Sequence, residues 1–363
     1  ADGPQTDSNI DKILELTGIR EIQELYKDKF NFEIDFIDFR DEKWTERDGV
    51  ITGKEKLAGD PAGSIIFDLG DKSSFAEVDK KNPSFYGAHY DISETMSHHT
   101  NGKHEYCICR TPIEADVFIN IPKLKTHKKC GITVNLKSLV GGVNANKNYL
   151  PHYIIGSPET GGDQFNRATV KSRLENKVVL GFKKLLLKDN KFLKFVARRT
   201  KKAGYKIFGK TENVIRSGNW HGNDTVWRMS MDLNKILYYG EPDGKLNPGK
   251  RKKYFSVVDD IKSMDGDGPT SGKCRNDGLI ISGVNPAAVD AVCATVMGFD
   301  YNKIPLINNS FKEKEFPLAD FTYEDIICIS NDERFNKKAA DIKYEDTLKY
   351  EPHFGWKGYI EQK

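Results

Sequence analysis

Two periods of apolar and polar residues alternate along this chain, and each predicts a different element. Ile10, Ile13, Leu14 and Leu16 share one side of a helix that Asp7, Ser8 or Asn9 can cap and Gly18 ends. Ile19 to Tyr26 continues with helical spacing. Phe32, Ile34 and Phe36 alternate in the manner of a strand. Residues 41–63 are polar and glycine-punctuated, a loop with room for one hairpin. Ser64–Leu69 and Tyr106–Arg110 are predicted strands. Between them, residues 80–104 carry His89, His98, His99 and His104 in a loop-like setting. A helix is expected through Trp227, Met231 and Leu237, strands at Tyr254–Val258, Leu279–Ile281 and Ile326–Ile329, and an apolar helix over Ala287–Met297 that stops at Gly298. Strands alternating with helices predict an α/β fold with a largely parallel sheet flanked by helices.

The most informative stretch runs from Asp116 to Gly142. Val117–Ile121 is a short β-branched run, and Pro122 stops it because proline has no amide hydrogen for a ladder. Lys123, Lys125, His127, Lys128 and Lys129 follow at once, where a parallel strand delivers its chain to a crevice. Gly131 and Gly141–Gly142 bracket Thr133, Asn135, Lys137 and Ser138. Strand, stop, cationic loop and glycines suit an anion site, and a solvated lysine loop is the plainer alternative.

Residues 167–210 have another character. Val178, Val179, Phe182, Leu185, Leu186, Phe192, Phe195 and Val196 recur with helical spacing, and residues 171–210 hold 14 basic against 2 acidic side chains. This predicts a basic helical hairpin inserted between an α/β part (1–166, with the lysine and histidine loop) and a second part (211–363) that completes the same domain. Its lysines either face water or lie on an anionic membrane surface.

Totals narrow the function classes. A net charge of +3 and a pI near 8.3 give no nucleic-acid footprint. The six cysteines include no C-x-x-C pair, so no iron–sulfur cluster or zinc ribbon is expected, and reduced thiols fit a cytoplasmic protein. No apolar run approaches the roughly 18 residues of a membrane span.

The IPKLKTH segment and the G-x-T-x-x-x-K-S-x-x-G that follows resemble the core motif of the DUF362 family, a domain of unknown function. The resemblance continues through residues 144–163, 220–232, 256–269 and 277–305. In such proteins an ADGP segment follows an earlier strand–helix stretch, so the resemblance implies that this chain lacks its first βα units. His127 and Lys137, in an H-x3-G-x-T-x3-K-S arrangement, are also similar to a segment of lactate racemase. There the matching histidine transfers a proton and the matching lysine carries a nickel-pincer nucleotide. Counterparts of the other nickel-binding histidines are missing, so a pincer cofactor is not expected.

His127 and Lys137 are therefore the candidate catalytic residues. Lysines around His127 push its pKa down, and a neutral imidazole can serve as general base on an anion. Lys123, Lys125 and Lys137 are candidates to bind phosphate or carboxylate, with Asn135, Asn144, Lys147 and His152 as further contacts or turn-makers. His221 and Arg228, beside Trp220, Asn223 and Asp224, suit a sugar or phosphate, or simply a capped helix. Asp259, Asp265 and Asp267 follow a strand in a glycine-rich turn and could hold a divalent metal ion, or only cap and turn. The expectation is an enzyme acting on an anionic saccharide or lipid-linked intermediate, cytoplasmic or peripheral to a membrane through residues 171–210. Racemase-like or epimerase-like proton transfer on a hydroxy acid and a non-catalytic glycan-binding module are the alternatives.

Overall fold

The computed structural model describes residues 1–47, 50–87, 91–187, 199 and 214–362. Its main sheet has six strands among these residues: β1 (Val117–Asn120), β2 (Lys123–His127), β3 (Gly131–Thr133), β4 (Lys253–Asp265), β5 (Lys273–Arg275) and β6 (Leu279–Gly283). β1 and β2 are one extended run interrupted at Pro122, and both lie parallel to β4. Lys253 pairs with Val117, Asp259 with Lys123 and Met264 with Lys125, with a register shift after Asp259. Antiparallel pairing joins β5 and β6 to β4, and β3 to β2. The parallel pairing that alternating strands and helices predict is thus found at the centre of a mixed sheet.

Four helices matter to the site: α1 (Asn135–Gly142), α2 (Val170–Leu186), α3 (Val226–Tyr239) and α4 (Pro286–Met297). Nearly every side chain of α3 and α4 is buried; α4 is apolar around most of its circumference, whereas α3 buries Ser230, Asp232, Asn234 and Lys235 along with its apolar residues. Asn285 caps α4 through Ala288 N–H, Pro286 opens it, and Gly298 closes it with φ +87°. One hydrophobic core draws residues from Ile65 to Ile360, on both sides of the segment 167–210. The sheet buries Tyr254 and Val258 in that core, while Val117, Ile119, Ile121, Phe255 and Ile280 stay exposed on its other side.

Several local expectations are met. Asn9 caps Ile10–Leu16, Glu42–Arg47 pairs antiparallel with Val50–Lys56, and Ser64–Asp68 pairs with Glu105–Cys109. Two strands are not found: residues 32–36 pair with nothing among the described residues, and residues 326–329 make one isolated bridge with Ile327 and Ile329 exposed. Alternation proposes a strand, but only a partner edge makes one. The histidine-rich stretch contains a helix, Ile92–His98, capped by Asp91. Of the basic hairpin, α2 is described, and its continuation through residues 188–198 and 200–210 lies outside the described residues.

Candidate anion site

The site is built on the β2–β3 hairpin and α1. Side chains alternate along β2, so Lys123, Lys125 and His127 share one side and buried Leu124 and Thr126 the other. Lys123 leaves the group: its ammonium bonds Asp259 at 2.5 Å and Lys262 O at 2.7 Å, at an exposed position. Lys125 and His127 remain. Gly131, at φ +78°, turns the hairpin opposite His127 and packs where a Cβ would stand 3.0 Å from Ile360 and 3.3 Å from Trp356. Thr133 pairs with Lys125 across the hairpin, so their side chains lie together, and its buried hydroxyl has no partner among the described residues.

Lys137 stands in the first turn of α1. The helix is anchored from below by Asp290 of α4, which accepts from Asn135 N–H at 2.9 Å, Leu136 N–H at 3.0 Å and the Asn135 amide at 2.9 Å. Desolvation pushes Asp290 up to about 7 despite these bonds. The Asn135 side-chain oxygen Oδ1 accepts from the Tyr254 and Ser256 hydroxyls. Asn135, expected to contact substrate, is instead fully used in holding α1 to β4 and α4. The first two amides of the helix are taken by Asp290 and are not open to a ligand.

The cationic groups act on one another. Burial is the largest cause of each depressed pKa, and neighbouring positive charge adds to it. Lys137 is lowered to about 8, with Lys125, Lys147 and Lys128 contributing; Lys129 falls to about 7. Lys147 falls to about 8 beside Arg40, and Lys125 is lowered beside Lys123. His127 lies well below its ordinary value through burial and then Lys137, Lys128, Lys129 and Lys125. His152 is pushed to about 3 by burial and Lys129. Acids partly offset this field: Asp2 at Lys125, Asp2, Asp38 and Asp41 at Lys147, and Asp163 at Lys129.

Hydrogen bonding separates occupied groups from open ones. Lys147 donates to Pro4 O at 2.7 Å, and Lys129 reaches His152 O at 3.5 Å while lying over Tyr153. Lys125 and Lys137 have neither hydrogen bond nor ion pair among the described residues. Asn144 is buried, with both amide atoms unpartnered among the described residues, in a cleft it lines with Arg40, Trp44 and Lys147. His127 Nδ1 accepts the Lys129 backbone N–H at 3.1 Å. A neutral ring with Nδ1 so occupied carries its proton on Nε2. The expected general-base role therefore does not fit: His127 offers a hydrogen-bond donor, and accepting a proton at Nε2 would require giving up the Lys129 bond.

The carboxylates expected to hold a metal do not converge. Asp259 is paired with Lys123 and accepts from Ile261 N–H. Asp265 is buried against Arg275 at 3.0 Å and accepts from Glu351 N–H, and Asp267 faces Phe354 N–H and His353. Their turn meets β2 through Thr126, whose hydroxyl donates to Gly266 O at 2.9 Å, on the side away from Lys125 and His127. Among the described residues no three His, Cys, Asp or Glu side chains are grouped to hold a metal ion.

Among the described residues, His221 and Arg228 share no side-chain bond with the lysines of the site. His221 stacks on Tyr359 at 4.1 Å, and Arg228 bonds Ser74 O and Asp224 above Trp227. Asp163 ties this region down by accepting from Ile154 N–H, Asp224 N–H and the Thr225 hydroxyl. The structure thus brings together Lys125, His127, Lys137, Lys147 and His152, and adds Lys129 and Thr133. Both additions lie in the quoted motif, but only the β2–β3 register shows that Thr133 sits beside Lys125.

The sequence model of a family described as a domain of unknown function (DUF362) matches residues 72–295. No curated protein and no solved structure matches the chain.

Proposed function

The chain belongs to the DUF362 family, and from that premise we propose that it is an enzyme acting on an anionic substrate. The substrate class is a phosphorylated or carboxylated saccharide or lipid-linked intermediate; the resemblance to this family and the basic character of residues 171–210 support its saccharide and lipid part. One observation carries the anion: Lys125 and Lys137 are half-buried ammonium groups without a hydrogen bond or ion pair among the described residues. Desolvated charge is costly until it is paired, so a bound anion removes a cost already present in the fold. The Thr133 hydroxyl and the His127 Nε2–H supply neutral donors beside them. With its pKa near 8, Lys137 is partly neutral at physiological pH and takes up a proton as an anion binds, so an ammonium able to give up that proton stands beside the substrate. Proton transfer is assigned to Lys137, with His127 polarising a substrate oxygen.

The test is isothermal titration of inorganic phosphate and of a sugar phosphate into the full chain. Lys125→Gln and Lys137→Gln should each weaken binding about tenfold, the loss of one charge-assisted contact of about 1.5 kcal/mol, whereas Arg228→Gln should not. Unchanged affinity in both lysine variants overturns the reading. A sugar phosphate that binds to saturation and is recovered intact would favour the non-catalytic glycan-binding module.

A second reading, proton transfer on a hydroxy acid, is favoured by the mutual influence of His127 and Lys137, the pair that resembles the racemase segment. Lys137→Met should then abolish exchange of the α-proton into heavy water. Exchange at the wild-type rate removes this reading.

A further inference from the structure

Helix α2 carries two apolar faces. One is buried: Phe182 and Leu186 pack with Val50, and Glu175 on the same side is ion-paired with Arg216 at 3.1 Å. The other is open. Val170, Leu174 and Val178 are 84%, 55% and 51% exposed, at i, i+4 and i+8. Successive members of such a set turn by roughly 40°, so the three form one slanted stripe, with Gly181 between them in projection. Lys177, Lys184 and Arg173, all exposed, border it on one side, and exposed Lys171 borders it on the other. The helix holds five basic residues and one acid, and that acid is turned inward to Arg216. The open face is therefore purely cationic around an apolar centre.

We propose that this face of α2 docks on the surface of an anionic lipid bilayer, with Val170, Leu174 and Val178 inserted among the headgroups and the four exposed cations on the lipid phosphates. Charge and shape favour lipid as the occupant. A helical partner would be met by an apolar stripe with charges further round, whereas close basic borders on both sides match a plane of negative headgroups. No helix among the described residues is long and apolar enough to cross a membrane, so the contact is peripheral. The helix also adjoins the lysine site: Lys183 lies over Tyr86, Tyr86 stacks on Tyr153 at 4.7 Å, and Lys129 lies over Tyr153. The docked chain holds its anion site next to the lipid surface.

Flotation of the full chain with vesicles tests this directly. Binding is expected to phosphatidylcholine vesicles containing phosphatidylserine at low salt, to fall as salt rises, and to be absent with pure phosphatidylcholine. Replacing Lys171, Arg173, Lys177 and Lys184 by Gln should weaken it roughly a hundredfold or more, and V170S/L174S/V178S should abolish it without shifting the thermal unfolding midpoint or phosphate affinity. Failure of the wild type to float at low salt overturns the proposal, as does flotation indifferent to both sets of changes. A lowered midpoint in the serine variant would show that protein covers the stripe, which also overturns it.

Discussion

Replacing Lys137 by Met should make the protein more stable at neutral pH, although it removes a residue assigned to the site. Methionine keeps the apolar stem and discards the charge. The fall of the Lys137 pKa from 10.5 to about 8 means that folding disfavours the protonated amine by about 3 kcal/mol. Water at the crevice mouth screens part of this, leaving about 1–3 kcal/mol. The sign in pH follows from proton counts. Below pH 8 the amine is charged in both states and the whole penalty is present. Between about 8 and 10.5 the unfolded chain holds a proton that the folded chain has lost, so wild-type stability rises with pH and the penalty disappears. Urea unfolding of the two proteins at pH 7 and pH 10 measures this. The variant should be the more stable at pH 7, by an amount that shrinks at pH 10, and added phosphate should stabilise the wild type more than the variant. A variant less stable than wild type at pH 7, or a difference independent of pH, would refute the idea of a desolvated, unpaired ammonium.

Three further outcomes are expected. In nitrogen-15 spectra, the His127 ring should be neutral with its proton on Nε2 and should stay neutral well below pH 6.5, as burial and four lysines require; a proton on Nδ1, or titration near 6.5, contradicts the tautomer. Asp290→Asn should cost about 2–4 kcal/mol in chemical unfolding, because an amide cannot accept all three N–H bonds that fix the start of α1; a loss below about 1 kcal/mol would show that α1 is held by packing alone. Gly131→Ala should cost about 1–3 kcal/mol in the same assay, from positive φ and from contact with Ile360 and Trp356; wild-type stability would mean that the hairpin turn can relax.

Much of this site was legible because its information is local. The β-branched run, Pro122 and the alternation of Lys125 and His127 lie within a dozen residues, and period-2 geometry alone places the two side chains together. What failed was decided by distant partners. Lys123 has the same phase as Lys125, yet the parallel register sets Asp259 opposite it and uses up both charges. Asp265 looked free to bind a metal until β5 folded back and brought Arg275 against it. Asn135 resembles a substrate ligand in one dimension, and only the approach of α4 and β4 reveals its structural bonds. The strand expected at residues 32–36 had the right alternation and lacked an edge to join. The histidine tautomer was invisible for a subtler reason, since it depends on one backbone N–H two residues downstream.

In the proposed function, an anion completes a cluster of cations whose pKa values burial has lowered. Such a ligand must restore protons to the amines it neutralises. Calorimetric titration of phosphate near pH 8, repeated in buffers of different ionisation enthalpy, counts those protons. Net uptake of protons on binding, reduced in Lys137→Met, is the result expected from Lys125, Lys129, Lys137 and Lys147. Phosphate binding with no proton uptake, or no binding at all, contradicts it.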